Sequence, residues 1–173
     1  IGVNSLLKFC INNDIENFIQ ISTDEVYGSA SENLFNESQN LNPSSPYSAS
    51  KASADMLCNS YIKTYGMKIK TVRPANNYGP YQFPEKLIPL MIKNCIENKD
   101  LPVYGDGLNV RDWIYVEDNC EALYQVLIKG NSGEIYNIGA RAEKNNLEVI
   151  ETILKLLDRP KELITFVADR LWK

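Results

Sequence analysis

"SPYSASKASADMLCNSYIKTYGMKIKTVR", residues 45–73, decides the fold because its apolar pattern changes period once along its length. From Ser45 to Tyr65 the pattern is helical, with Pro46 suited to a first-turn position and Gly66 to the stop. Behind the stop, "KIKTVR" reads as a strand. The same step occurs upstream, where Leu6, Leu7, Phe9 and Cys10 suit a helix end and "NFIQIS" a short apolar strand. Downstream it recurs three times. A helix from about Lys86 to Lys99 leads to "DLPVYGDG", and "RDWIYVEDNCEALYQVLIKG" is a strand followed by a helix that starts at Glu117 and Asp118 and closes at Gly130. "GEIYNIG", "NNLEVIETILKLLD" and "ELITFV" complete the series as strand, helix and strand. Helices and strands alternating in this way predict βαβ units and an α/β fold with a parallel sheet.

Composition narrows the class of molecule without naming its chemistry. The chain has 173 residues, 44% of them apolar, enough to bury a core, and no apolar run of membrane-spanning length. Its net charge of -4, with no cluster of Lys and Arg, argues against nucleic acid, which needs a concentrated basic face. Cys10, Cys58, Cys95 and Cys120 stand singly and far apart, which reads as reduced thiols in a cytoplasmic protein. With no histidine in the chain, Ser-His and Cys-His nucleophile systems are excluded and no metal site is expected. Chemistry here must come from Tyr, Lys, Asp, Glu or a cofactor.

Two short stretches hold such residues. "ISTDEVYG" sets Asp24 and Glu25 side by side where an apolar strand ends. Adjacent carboxylates repel each other and each resists desolvation, so the pair is either a solvated turn or a chemical site. "YSASK" places Tyr47 four residues before Lys51 near a helix start, which stacks the two on one helical face. A phenol with a pKa near ~10 acts as a base at neutral pH only when its phenolate is stabilised, and an adjacent ammonium can do that. The polar interval from Ala30 to Ser44 connects these stretches. Gly28, Gly79, Gly105 and Gly107 fall at turns and form no phosphate cradle.

Taken together, "STDEVYG" and "YSASK" resemble the extended short-chain dehydrogenase/reductase superfamily, and within it the dTDP-glucose 4,6-dehydratases. "RPANNYGPYQFPEKLIPLMI", "LPVYGDGLNVRDWIYVEDNCEAL", "GEIYNIGA" and the terminal "ITFVADR" extend the similarity through almost all of the chain. The resemblance implies a partial Rossmann-like parallel sheet with a small substrate-binding α/β subdomain. Residues 1–80 would be the C-terminal half of an NAD-binding domain and carry the catalytic residues. Residues 81–173 would mostly bind the nucleotide sugar, with 109–130 returning to the Rossmann-like domain. The family's amino-terminal "GxxGxxG" turn has no counterpart here, so an internal fragment lacking that half is expected. An isolated chain of that kind would be poorly active.

The resemblance also implies roles. Tyr47 would take the proton from the sugar 4-hydroxyl while NAD takes the hydride, Lys51 would hold the nicotinamide ribose, and Thr23 would orient the hydroxyl. Glu25 would abstract the C5 proton and Asp24 would protonate the departing 6-hydroxyl. Ser22, Tyr47, Lys51 and Asn76 would contact the cofactor; Thr23, Asn76, Glu85, Lys86, Leu87, Arg111 and Asn137 would bind substrate. Asn76 and Asn137 could equally satisfy strand-end backbone groups, and Lys86 could be an exposed helix-start residue. Tyr104 and Trp113 are expected in the core. A lyase of nucleotide-sugar metabolism, in the branch that leads to dTDP-rhamnose, follows, as does a homodimer in the full-length protein.

Within the same fold, a UDP-glucose dehydratase, a UDP-sugar 4-epimerase and a UDP-glucuronate decarboxylase remain open, as does a non-catalytic nucleotide-binding domain. Asp24 bears most on that choice, since decarboxylating relatives show "TSEVYG" and epimerases carry small or hydroxyl residues in place of the acids. "NIGARAEKN" departs from the commoner "NIGGHNEKKN", and no residue here distinguishes thymine from uracil.

Overall fold

The computed structural model describes residues 2–29 and 35–168. Residues 30–34 of the polar interval, and Asp169 and Arg170 of the terminal "ITFVADR", lie outside the described residues. In chain order the elements are α1 (Gly2–Asn12), β1 (Asn17–Ile21), α2 (Pro46–Tyr65), β2 (Lys68–Pro74), β3 (Asn76–Tyr78) and α3 (Leu87–Ile96). There follow β4 (Leu101–Tyr104), β5 (Val110–Tyr115), α4 (Val116–Lys129), β6 (Ile135–Ile138), β7 (Glu143–Asn145), α5 (Asn146–Leu156) and β8 (Ile164–Val167). Short 3-10 turns occur at Asp24–Tyr27 and Lys161–Leu163.

Local chemistry accounts for the best-formed boundaries. Ser45 caps α2, its hydroxyl accepting from the Ser48 backbone N–H while the Ser48 hydroxyl accepts from the Ser45 N–H. Pro46 fills the first turn, where its missing N–H has no intrahelical partner to lose. Gly66 ends the helix in the left-handed conformation at φ 67°, with its N–H on the Ile62 carbonyl. Asn145 and Glu148 cap α5 by the same reciprocal arrangement.

The chain forms two compact units, Ile1–Ala75 with Asp118–Ile138, and Asn76–Glu117 with Gly139–Lys173. In the first, β2 lies between β1 and β6, all parallel, with Ile19 opposite Lys70 and Arg73 opposite Asn137. Neighbours on both sides satisfy the β2 backbone, and the whole strand after Lys68 is buried, including Lys70, Thr71 and Arg73. The Lys70 ammonium donates to the Leu127 carbonyl at 2.8 Å. Leu7, Cys58, Tyr61 and Ile69 form one core of this unit, and Val26, Tyr27 and Ala52 another.

The second unit pairs β3 with β5 in parallel, β5 with β7 antiparallel, and β4 with β8 in parallel. Its core comprises Met91, Cys95, Leu101, Val103, Val149, Ile150, Ile153 and Leu154, with Trp113 packed partly buried against it. The antiparallel β5–β7 pair departs from a wholly parallel expectation. At three residues each, β3 and β7 are too short to show a period in sequence. Among the described residues no helix is long and apolar enough to cross a membrane, and all four cysteines are free thiols.

Candidate active site

Strand β1 ends at Ile21, and Ser22 continues its pairing by donating its N–H to the Val72 carbonyl at 2.8 Å. The chain then turns. Thr23 caps the 3-10 turn: its hydroxyl oxygen accepts from the Glu25 N–H at 3.3 Å and its proton goes to Asp24 Oδ1 at 3.2 Å. Asp24 and Glu25 therefore occupy the first turn of a short helix, where negative charge is favoured by the exposed backbone N–H groups. Thr23 is buried, Asp24 half-buried and Glu25 exposed. Gly28, at φ 88°, leaves this turn with its would-be Cβ directed into the Asn42 carbonyl, so only glycine fits.

Tyr47 and Lys51 stand one turn apart on α2, near its N-terminus. The Lys51 ammonium donates to the Ile21 carbonyl at 2.8 Å, which brings this face of α2 to the carboxyl end of β1. In open α/β sheets that end of a parallel strand is where ligands bind. Tyr47 is 55% exposed. Its pKa is raised above the ordinary phenol value, by desolvation first and then by the negative charges of Glu25 and Asp24. The two acids of one element thus act electrostatically on the phenol of another. The Lys51 ammonium is held at the Ile21 carbonyl, and the acids oppose ionisation of Tyr47.

The remaining residues singled out from sequence are distributed as follows. The Ser22 side chain is buried, with its hydroxyl donating to Asp55 Oδ2 at 3.0 Å. Asn137, on β6, uses both ends of its amide: Oδ1 accepts from the Tyr27 hydroxyl at 2.8 Å and Nδ2 donates to the Phe35 carbonyl at 3.3 Å. Its N–H donates to Glu37 Oε1 at 3.0 Å. In the second unit Asn76 opens β3 opposite Trp113 and is half-buried. Glu85 and Lys86 are exposed just before α3, and Leu87 packs against the core of that unit. Tyr104 is half-buried on β4, and the Trp113 indole N–H donates to the Lys144 carbonyl at 3.3 Å.

Arg111 is exposed on β5, one of its Nη atoms donating to the Val110 carbonyl at 3.2 Å. The β5–β7 register pairs Arg111 with Lys144 and Asp112 with Glu143. Because side chains alternate across a strand, the two cations share one face and the two acids the other. Asp112 is compensated: its carboxylate accepts from the N–H groups of Ala140, Arg141 and Ala142 at 2.9, 3.4 and 2.8 Å. A Cβ on Gly139 would run into that carboxylate. No comparable compensation accompanies the cationic pair among the described contacts, an arrangement suited to an anion.

Sequence reasoning did not single out Tyr27, Asp55, Arg73 or Asp112. The one available signal was that Asp55 continues the Tyr47–Lys51 stripe at four-residue spacing.

A parallel sheet flanked by a Tyr-x-x-x-Lys helix, with acids at the end of its first strand, defines a Rossmann-like α/β protein of the short-chain dehydrogenase/reductase kind. The chain belongs to the NAD dependent epimerase/dehydratase family, whose model matches residues 1–139. It is 53% identical over 166 residues to dTDP-glucose 4,6-dehydratase of Neisseria meningitidis serogroup B, covering 88% of this chain and 47% of that protein. It is 50% identical over 169 residues to the low-salt glycan biosynthesis protein Agl12 of Haloferax volcanii, covering 98% and 54%. The crystal structure of dTDP-glucose 4,6-dehydratase from Bacillus anthracis in complex with NAD superposes with a TM-score of 0.95 at 52% identity, over 99% of this chain and 56% of that one. The chain spans about half the length of the curated relatives it matches.

Proposed function

We propose that this chain carries the catalytic residues of an NAD-dependent nucleotide-sugar 4,6-dehydratase acting on dTDP-glucose. The observation that carries the reading is the placement of Asp24 and Glu25 in the turn directly after β1, whose final carbonyl, at Ile21, takes the Lys51 ammonium from the helix that carries Tyr47. An epimerase needs the phenol alone, whereas elimination of water needs a carboxyl pair as well. The similarity to proteins named dTDP-glucose 4,6-dehydratase supports the same choice.

The residues present fit the nicotinamide half of NAD. An ammonium anchored at the carboxyl end of β1 and an exposed phenol one turn away offer the donors that a ribose diol requires. Tyr47, Lys51, Asn76 and Ser22 would hold that half, the Ser22 hydroxyl accepting with its free lone pairs while its proton goes to Asp55. NAD, when bound, supplies a hydride acceptor and donor. Tyr47, as the phenolate that the positive nicotinamide ring of a bound cofactor would favour against the two acids, takes the 4-hydroxyl proton, and Thr23 orients that hydroxyl. Beside the resulting 4-ketone the C5 proton is acidic, so Glu25 can remove it while Asp24 protonates the departing 6-hydroxyl; the hydride taken from C4 then returns to C6 and Glu25 gives its proton back to C5, which leaves the 4-keto-6-deoxy sugar. Arg111 takes the substrate diphosphate, a role supported by its facing Lys144 across β5–β7; Asn76, Glu85, Lys86 and Leu87 contribute around the nucleotide. Asn137, its amide engaged by Tyr27 and Phe35, contributes to substrate binding through the position it gives that segment. We assign the first unit, Ile1–Ala75 with Asp118–Ile138, to cofactor binding and the second mainly to substrate binding, which shifts the bounds of 1–80 and 109–130 expected from sequence, in a cytoplasmic homodimer.

The test is incubation of the full-length gene product with NAD and either dTDP-glucose or UDP-glucose, followed by product analysis. A 4-keto-6-deoxy sugar, seen by its alkaline absorbance and by mass, is expected, with dTDP-glucose the better substrate. A 4-epimer or a pentose would overturn the reading. Asp24→Asn should retain C4 oxidation and lose elimination.

A further inference from the structure

Beside the site lies a chain of polar groups, buried except at Asn137, whose central members Asp55, Arg73 and Tyr27 have no role in the proposed reaction. Asp55 stands one turn beyond Lys51 and two beyond Tyr47 on α2. Its Oδ2 accepts from the Ser22 hydroxyl at 3.0 Å and from Arg73 Nε at 3.1 Å. Arg73 Nη1 donates to the Tyr27 hydroxyl at 2.7 Å, and the guanidinium carbon lies 4.8 Å from the Tyr27 ring centroid. The Tyr27 hydroxyl passes its proton on to Asn137 Oδ1. Arg73 and Asp55 are 3% and 5% exposed.

We propose that Asp55 and Arg73 are positioning residues, which pin the Ser22–Tyr27 segment at both ends and hold it against the Tyr47–Lys51 face of α2. The proposal rests on the dehydratase reading for its kinetic consequence. The topology gives it substance: the guanidinium projects from the central strand, reaches Ser22 through Asp55 and reaches Tyr27 directly, and the segment between these two contacts carries Thr23, Asp24 and Glu25. Asp55 belongs to α2, so the same carboxylate that grips Ser22 also fixes the helix. Lys51 makes a parallel tether one turn away, to Ile21.

Stability alone is a poor reason for such a pair. Desolvating two charges offsets their attraction, and replacing buried ion pairs by apolar residues is often neutral or better. Asp55 illustrates this: burial raises its pKa, outweighing Ser22, Arg73 and Lys51, which act in the opposite sense. Its Oδ1 has no hydrogen-bond partner among the described residues. A planar, five-donor guanidinium is suited to bridging two partners in fixed directions, which a lysine cannot reproduce.

The experiment uses the full-length protein with NAD and compares Arg73→Lys, Tyr27→Phe and the apolar double variant Asp55→Leu/Arg73→Met. Active sites are counted by bound cofactor and folding is followed by thermal unfolding. Arg73→Lys and the double variant should lose about 10- to 100-fold in kcat per folded site, the scale of a small misplacement of reacting groups, with KM for dTDP-glucose changed by less than about threefold. Tyr27→Phe should lose less, since it releases only one end. A second readout is independent of turnover: ultraviolet titration of Tyr47, isolated by difference against Tyr47→Phe in each background. Displaced acids raise the phenol less, so its titration should move to lower pH in Arg73→Lys and in the double variant. Unchanged kcat per folded site with an unmoved Tyr47 titration would overturn the proposal. If the wild-type protein proves not to dehydrate sugars, the titration alone decides, and the two failures are distinguished.

Discussion

Burial first, and then the charges of Glu25 and Asp24, raise the pKa of the Tyr47 phenol above its ordinary range. Both carboxylates favour the neutral phenol, adding to desolvation, so the phenolate forms only at a pH above the ordinary phenol range. The sign of the consequence is fixed: removing a negative neighbour lowers that pH, whereas removing a positive one would raise it. Asp24→Asn and Glu25→Gln should each move Tyr47 ionisation to lower pH, with Glu25→Gln giving the larger shift because its charge contributes more. Spectrophotometric titration of tyrosinate, referenced to Tyr47→Phe, measures this directly; no movement in either variant would mean the acids lie too far away to matter. The same electrostatics explain why the acids were legible as a question in the sequence. Two adjacent carboxylates at a strand end need either water or a use, and Thr23 shows that they also have a local stabiliser in the turn they begin.

Elements in this chain divide into those made by their own residues and those made by neighbours. Helix α2 belongs to the first kind, since Ser45, Ser48, Pro46 and Gly66 define its ends by contacts within four residues. Tyr47 and Lys51 therefore share a face for reasons local to α2. Strand β7 belongs to the second kind. Three charged and polar residues, Glu143 to Asn145, become a strand only because β5 lies opposite and Asp112 gathers the loop before them. Asp112→Ala would leave three N–H groups without their acceptor. Water can reach them, so the expected loss is about 1–2 kcal/mol, seen as faster amide hydrogen exchange at Ala140–Ala142 with little change in α2. Unchanged exchange there would show that the loop holds its shape without the carboxylate. Strand β2 lies between the two kinds: its position was legible, but its buried Lys70 and Arg73 acquire their partners from α4, from α2 and from the Asp24–Tyr27 turn.

Across the whole molecule, each unit has its own hydrophobic core. Ile150 is fully buried in the core of the second unit, and Ile150→Ala should destabilise the protein by about 2–5 kcal/mol through lost burial and a residual cavity. Chemical denaturation measures that loss. Titration of Tyr47, which depends on groups of the first unit, should stay where it is under conditions that keep the variant folded. A shifted titration would mean that the core of the second unit helps set the phenol's environment. The sequence by itself determined the order of the long elements, the helical spacing of Tyr47 and Lys51, and the placing of two acids after β1. These depend on periodicity and capping between residues a few positions apart. The tertiary structure alone decided that Ser22, Tyr27, Asp55, Arg73 and Asn137 form one hydrogen-bonded chain, because its links join residues from 18 to 110 positions apart and arise only when β2 is enclosed by its neighbours. Hydrogen bonds between such distant groups leave no spacing signal, since the sheet's packing and not the chain's local geometry sets their distances.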